Sequence, residues 1–342
     1  MVMKKKYYLP LFLCVLIIVI VAILHKSNLA GIKNTLTKKN IGSEKIDCQN
    51  IESYKKWLTS LERGLLEKEP SVGYHLVEQV NIKSNDRDYS IYTVSCKKED
   101  VEAALIVHAV LFYTEDGFSK LSYIGESVGV SSGGNFGIDS PYREVVVSVF
   151  NGIMCWTCDK KEIVQLSNNG AISLTNSIND NIGTGTMPQR AVTAIEDLDG
   201  DDTQELVVTE SKWEMAFGLC HACSPVTERY YKWSVSEFED VSTKYKDLYL
   251  KQIDTAKQNW EERECGRTDK IPADYCTGFA LKVLLASDMA GRRNEGWKFF
   301  WANTNPEVYR KIYGNIPDPL LLSRKVLLEQ YTKGENFSPP GH

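Results

Sequence analysis

Three textures follow one another along the chain. Between residues 48 and 68, Ile51, Tyr54, Trp57, Leu58, Leu61 and Leu65 recur three and four apart, which predicts an amphipathic helix ended by Pro70. From about residue 73 to 243, short β-branched runs alternate with Gly, Asn and Asp turns, the pattern of half-buried strands. The clearest runs are YSIYTVSC (89–96), ALIVHAVLFY (104–113), REVVVSVF (143–150), EIVQLS (162–167), AISLT (171–175), AVTAI (191–195), ELVVTES (205–211) and RYYKWSV (229–235). Asp116-Gly117 and Asn169-Gly170 are hairpin signals, because these residue types tolerate positive φ. From residue 244 the period becomes helical again, with Tyr245, Leu248, Tyr249, Ile253 and Trp260 marking 244–264. TGFALKVLLASDMAG (277–291) closes on Gly291, a natural C-terminal cap, and NEGWKFFWAN (294–303) follows as the second arm of a helical hairpin. A last helix is predicted over Pro319–Tyr331.

The β region carries a weak internal repeat. Arg143-Glu144-Val145-Val146-Val147 leads to Cys155-Trp156-Thr157-Cys158 and a strand pair; Gln204-Glu205-Leu206-Val207-Val208 leads to Cys220-His221-Ala222-Cys223 and another. Two copies of strand, CxxC and hairpin read as two blades or two halves of one β architecture. A complete propeller needs at least four blades, and the β region has room for about three. The expected fold is therefore mainly β, a partial propeller-like or sandwich-like domain, with an N-terminal transmembrane helix and an α-helical C-terminal region. The corresponding divisions are an anchor over 1–24, a linker over 25–46, a β-rich domain with its N-terminal helix over 47–243, and a helical region over 244–342.

The anchor changes the picture of where the protein works. Tyr7 to Leu24 is an uncharged run of 18 residues preceded by Lys4, Lys5 and Lys6, just long enough to span a bilayer. A cleaved signal peptide is the competing reading, but HKSNLAG follows the run, without the small-residue pair that a cleavage site needs. Residues 1–46 hold eight Lys and one Glu, whereas the whole chain is at −5, so residues 47–342 carry −12. That acidic balance argues against nucleic acid as a partner. Lysines flank the span on both sides, so charge alone leaves topology nearly balanced; the cysteines favour placing the bulk of the chain outside the cell membrane, in an oxidising space.

The sharpest motif is Asp197-Leu198-Asp199-Gly200-Asp201-Asp202-Thr203-Gln204-Glu205. Carboxylates this close repel one another unless a cation neutralises them, and calcium takes six to eight oxygens at roughly 2.3–2.6 Å. The loop is not an EF-hand, because its sixth position is Asp202 and its twelfth Val208. A strand runs in and another runs straight out. That setting resembles the FG-GAP/VCBS calcium loop of integrin-like β-propeller repeats, in one copy over residues 197–210. The chain departs from that pattern at Asp202, where the family usually has Gly, and at Glu205, where it usually has Asp. The resemblance implies that Asp197, Asp199, Asp201 and Glu205 are side-chain ligands and Thr203 a carbonyl ligand of a structural calcium. A solvated acidic turn is the other reading of the same residues. The segment WEMAFGLCHACSPVTERYYKW beyond the loop also resembles, in texture only, exported bacterial proteins.

Nine cysteines are present, Cys14 in the apolar run and eight beyond it. An even set behind a membrane anchor suits disulfides. Local pairing joins Cys265 with Cys276 and Cys48 with Cys96, while Cys155, Cys158, Cys220 and Cys223 pair within or between the CxxC motifs. The same four cysteines would also make a zinc site, although zinc ribbons usually keep their knuckles far closer together. Thiol–disulfide exchange is a third reading, weakened because strands rather than a helix follow each motif. Gly125-Glu126-Ser127-Val128-Gly129 matches G-x-S-x-G, but VGVSSGGNFG cannot supply the helix a nucleophile elbow needs. The sequence thus points to a membrane-anchored binding or envelope-assembly protein with an unidentified protein or envelope ligand, rather than to an enzyme. The alternatives are a zinc-binding protein and a membrane-associated hydrolase.

Overall fold

A computed structural model describes residues 75–97, 106–150, 157–179 and 189–338, with the side chain of Cys96 outside that description. The expected span Tyr7–Leu24, the linker, the 48–68 helix, Cys48 and Cys155 also lie outside it. Among the described residues, no helix is long and apolar enough to cross a membrane.

Among the described residues, twelve strands run in chain order through three antiparallel four-stranded sheets, and helices fill the C-terminal part. Sheet one is β1 (His75–Ser84), β2 (Arg87–Lys97), β3 (Ile106–Thr114) and β4 (Gly117–Gly125). Sheet two is β5 (Ser127–Ser132), β6 (Arg143–Phe150), β7 (Asp159–Ser167) and β8 (Gly170–Ser173). Sheet three is β9 (Arg190–Glu196), β10 (Glu205–Glu210), β11 (Thr227–Trp233) and β12 (Phe238–Asp240). In each sheet every strand pairs with its chain neighbour. The Val-rich runs of the weak repeat, β6 and β10, are both second strands of their sheets, and each CxxC motif lies between a second and a third strand.

Both hairpin signals mark real hairpins, one residue out of register. Thr114 pairs with Gly117 and Ser167 with Gly170, so the loop residues are Glu115-Asp116 and Asn168-Asn169. Gly117 (φ 113°) and Gly170 (φ 110°) open the returning strands in a conformation that only Gly adopts without strain.

The sheets stack face to face. Tyr89, Ile91, Val110 and Phe112 of sheet one meet Val145, Val147, Val149, Val164 and Leu166 of sheet two. On the other face, Val146 and Ile163 of sheet two pack with Val192, Leu206 and Val208 of sheet three. Sheet two is therefore apolar on both faces, which is why β6 reads as a continuous Val run rather than an alternation. Its buried Glu162 is compensated by the Lys160 ammonium at 2.9 Å and by the hydroxyls of Ser173 and Thr175 at 3.0 and 2.7 Å.

The last layer is helical: α1 (Lys246–Glu262), α2 (Ala273–Met289), α3 (Arg293–Asn303), α4 (Pro306–Tyr313) and α5 (Asp318–Lys333). Tyr230 of sheet three packs with Tyr249, Ile253 and Ala256 of α1 and with Val283 and Ala286 of α2. Gly291 follows α2 with φ 74°, the left-handed cap its residue type suggested. The α4 helix escaped the sequence pattern because it is short, and it starts at an Asn305 cap that accepts from the Glu307 amide.

Phe112, with 0% exposure, fills the interface between sheets one and two. Phe112→Ala lowers stability by about 3–5 kcal/mol, the range for emptying an aromatic core site. Urea denaturation checks this, and a loss under about 1 kcal/mol would contradict the stacked arrangement.

Candidate metal centre

The acidic loop joins β9 to β10 at the end of sheet three. Asp197 turns inward and organises it: Oδ1 accepts from the amides of Gly200 (2.7 Å) and Asp201 (3.2 Å), and Oδ2 accepts from that of Asp202 (3.0 Å). Gly200 (φ 77°) and Asp202 (φ 65°) both take left-handed backbone. Asp is among the few non-Gly residues that tolerate this. Asn135, in the segment between β5 and β6, clamps the loop from outside. Its side-chain amide donates to the Asp202 carbonyl at 2.7 Å, and its own carbonyl accepts from the Gln204 amide at 2.7 Å.

Asp197, Asp199 and Glu205 each present an oxygen, all within 4.8 Å of one another. Glu205 is fully buried, and its Oε2 accepts from the Leu198 amide at 2.8 Å, closing the loop. The space between the carboxylates is entered by Lys232 of β11. Its ammonium lies 2.6 Å from Glu205 Oε1, 2.7 Å from Asp201 Oδ2 and 3.2 Å from Asp199 Oδ2. Register explains its arrival: Leu206 faces Tyr231 across the β10–β11 ladder, so the next positions outward are Glu205 and Lys232. The Tyr245 hydroxyl, just before α1, donates to Asp199 Oδ2 at 3.2 Å.

The electrostatics follow. Burial pulls the Lys232 pKa down, but the hydrogen bonds its ammonium donates to Asp201, Glu205 and Asp199 outweigh it, and the net shift is upward. Asp201 is held below the usual carboxylate range by its hydrogen bond with Lys232 and by the Thr203 amide. Tyr245 is pushed up, by burial first and then by the charges of Glu205 and Asp199. Five carboxylates from Asp197 to Glu205 still face one nearby ammonium, so the loop keeps a strong excess of negative charge.

The structure thus gathers Asp197, Asp199 and Glu205 directly and joins Asp201 to them through Lys232. Thr203 enters through its amide, which donates to Asp201 Oδ1 at 2.9 Å. Sequence reading missed Lys232, Tyr245 and Asn135. The only signal for Lys232 was a cation set between aromatic residues in the run RYYKW.

The cysteines fall into distinct environments. Cys265 and Cys276 are bonded and both buried, tying the turn after α1 to α2. Cys220 and Cys223 are bonded to each other, and Cys158 is disulfide-bonded. A thiolate zinc centre would require these sulfurs reduced. β4 ends at Gly125 and, after Glu126 alone, Ser127 opens β5, so the Ser of the G-x-S-x-G match starts a strand and not a helix. Compared with known proteins, the chain matches no family model, no curated protein and no solved structure.

Lys232→Gln leaves the buried Glu205 without its cation and lowers stability at pH 7 by about 3 kcal/mol, the lower range for breaking a buried pair. The Asp201 pKa is depressed in the folded state, so the Lys232–Asp201 contribution is present above the unfolded value of about 3.9 and is lost as pH falls through the folded value. The gap between wild type and variant should therefore narrow as the pH is lowered through the carboxylate range. Urea midpoints from pH 7 to pH 3 check this, and a pH-independent gap would contradict it.

Proposed function

We propose that this chain is a membrane-anchored, extracytoplasmic binding or envelope-assembly protein whose acidic loop is a structural cation clamp. The observation that carries the reading is the loop itself: its inner oxygens are committed to loop amides and to one ammonium, an arrangement that holds two strands together rather than one that turns over a substrate. The uncharged Tyr7–Leu24 run supports the anchor, and the bonded pairs Cys220–Cys223 and Cys265–Cys276 support an oxidising surrounding. Three consecutive four-stranded meanders stacked face to face support a propeller-like reading of the β region, which would present loops for a protein or envelope ligand.

The donor set suits calcium: it is all oxygen, mostly carboxylate, and wrapped around a left-handed Gly200. Asp197, Asp199, Asp201 and Glu205 would hold the ion. Lys232 is the group that must yield, since an ammonium and a divalent ion cannot share these oxygens. In this reading Lys232 is the resident cation of the calcium-free protein and calcium displaces it.

Calorimetric titration of the full chain with calcium chloride tests the reading. Calcium should bind wild type and raise its melting temperature, and Lys232→Met should bind at least about tenfold more tightly because the competing charge is gone. No calcium binding in either protein would remove the metal from the reading and leave Lys232 as the loop's sole counter-ion.

A further inference from the structure

The two disulfides within the described residues differ in one respect that matters chemically. Cys265 and Cys276 are both buried, whereas Cys220 is exposed and its partner Cys223 is only 6% exposed. An exposed cysteine bonded to a sheltered one suits thiol–disulfide exchange, since attack must occur at a reachable sulfur and the leaving one must be retained.

The surroundings are built for more than closure of a turn. His221 lies between the two cysteines in sequence, and its Nδ1 donates to Glu214 Oε1. The Glu214 side chain is 8% exposed, and its second oxygen, Oε2, is buried without a hydrogen-bond partner. A buried carboxylate oxygen left unpaired is costly, which makes it a candidate for proton transfer rather than for structure. The segment that carries Glu214 is also strained. Met215 (φ 55°) and Phe217 (φ 60°) both hold left-handed backbone without being Gly. Trp213, Phe217 and Leu219 anchor this strained segment in the helical core. The Ser224 hydroxyl then ties it to the cysteines, accepting from the Met215 amide at 2.8 Å and donating to the Cys220 carbonyl at 2.9 Å. Met215 is thereby held near Cys220 with 57% of its surface exposed, an apolar and adaptable contact for a peptide. Behind Cys223, α2 approaches so closely that a side chain at Gly278 would collide with the Cys223 carbonyl.

We propose that Cys220–Cys223 is an exchangeable disulfide that oxidises a dithiol in an exposed peptide segment of another protein. A substrate thiol gives its proton to the His221–Glu214 pair, and its thiolate attacks the Cys220 sulfur. The Cys220–Cys223 bond breaks, its electron pair going to Cys223, which takes up the proton released by the first substrate thiol. The second substrate thiol then gives its proton to the same His221–Glu214 pair, its thiolate attacks the substrate sulfur of the mixed disulfide, and Cys220 leaves as a thiolate that takes up this second proton. Two substrate thiols become one disulfide, and this chain's disulfide becomes a dithiol. His221 is the positioning residue, stabilising the Cys220 thiolate and so favouring the reduced form. The inference stands apart from the calcium reading, because none of these residues belongs to the acidic loop.

The test uses the full chain in detergent, equilibrated with graded glutathione buffers, trapped by alkylation and mapped by mass spectrometry. The Cys220–Cys223 pair should reduce under conditions that leave Cys265–Cys276 intact. A reduced synthetic peptide with two cysteines should be oxidised one-for-one with thiols gained at Cys220 and Cys223, and a Cys220→Ser/Cys223→Ser variant should not do this. His221→Ala should make the pair at least about tenfold harder to reduce, a shift of about 30 mV, while leaving the Cys265–Cys276 midpoint at its wild-type value. If both disulfides resist reduction equally, or the peptide stays reduced, the proposal is overturned and the pair is a structural staple. If His221→Ala leaves the midpoint unmoved, the role given to His221 fails.

Discussion

Burial of sheet two on both faces is the constraint from which the rest of the β region follows. A sheet covered on both sides cannot alternate apolar and polar residues, so β6 and β7 carry runs such as VVVSV and EIVQL. Each polar group left inside must then be satisfied on the spot, as Glu162 is by Lys160, Ser173 and Thr175. With sheet two held, sheets one and three are fixed by the valine faces they meet, and the helices by the aromatic face of sheet three.

The acidic loop lies where sheet three meets the helical layer, and its charge links the two. Glu205 begins β10, Lys232 lies on β11, and Tyr245 immediately precedes α1. A change of cation at this point is felt by two strands and by the entry to a helix. Charge compensation at the loop therefore bears on the stability of both layers.

Sulfur is used in two ways in the same region. Cys265–Cys276 is sealed inside the helical core and closes a turn between α1 and α2. Cys220–Cys223 reaches the surface on a segment whose backbone is strained but whose aromatic residues are firmly buried. Strain held by a rigid frame is a means of keeping reactive groups in place.

Local pattern by itself determined the order of textures, strands and then helices, because side-chain period is a property of consecutive residues. It also marked the second strands β6 and β10, the cap at Gly291 and the oxygen-rich composition of the 197–205 loop. It did not single out β1, β5 and β12 within the β region, because their polar or Gly-containing runs become strands by pairing with neighbours. Only the tertiary structure decided which cation sits against the loop, since Lys232 arrives through the β10–β11 register rather than through proximity in sequence. It likewise decided that Cys220 is exposed and Cys223 buried, because the packing of α2 against one end of the motif is invisible in the letters CHAC. Periodicity and donor chemistry are local and can be read along the chain; charge compensation and accessibility depend on residues that only the folded chain brings together.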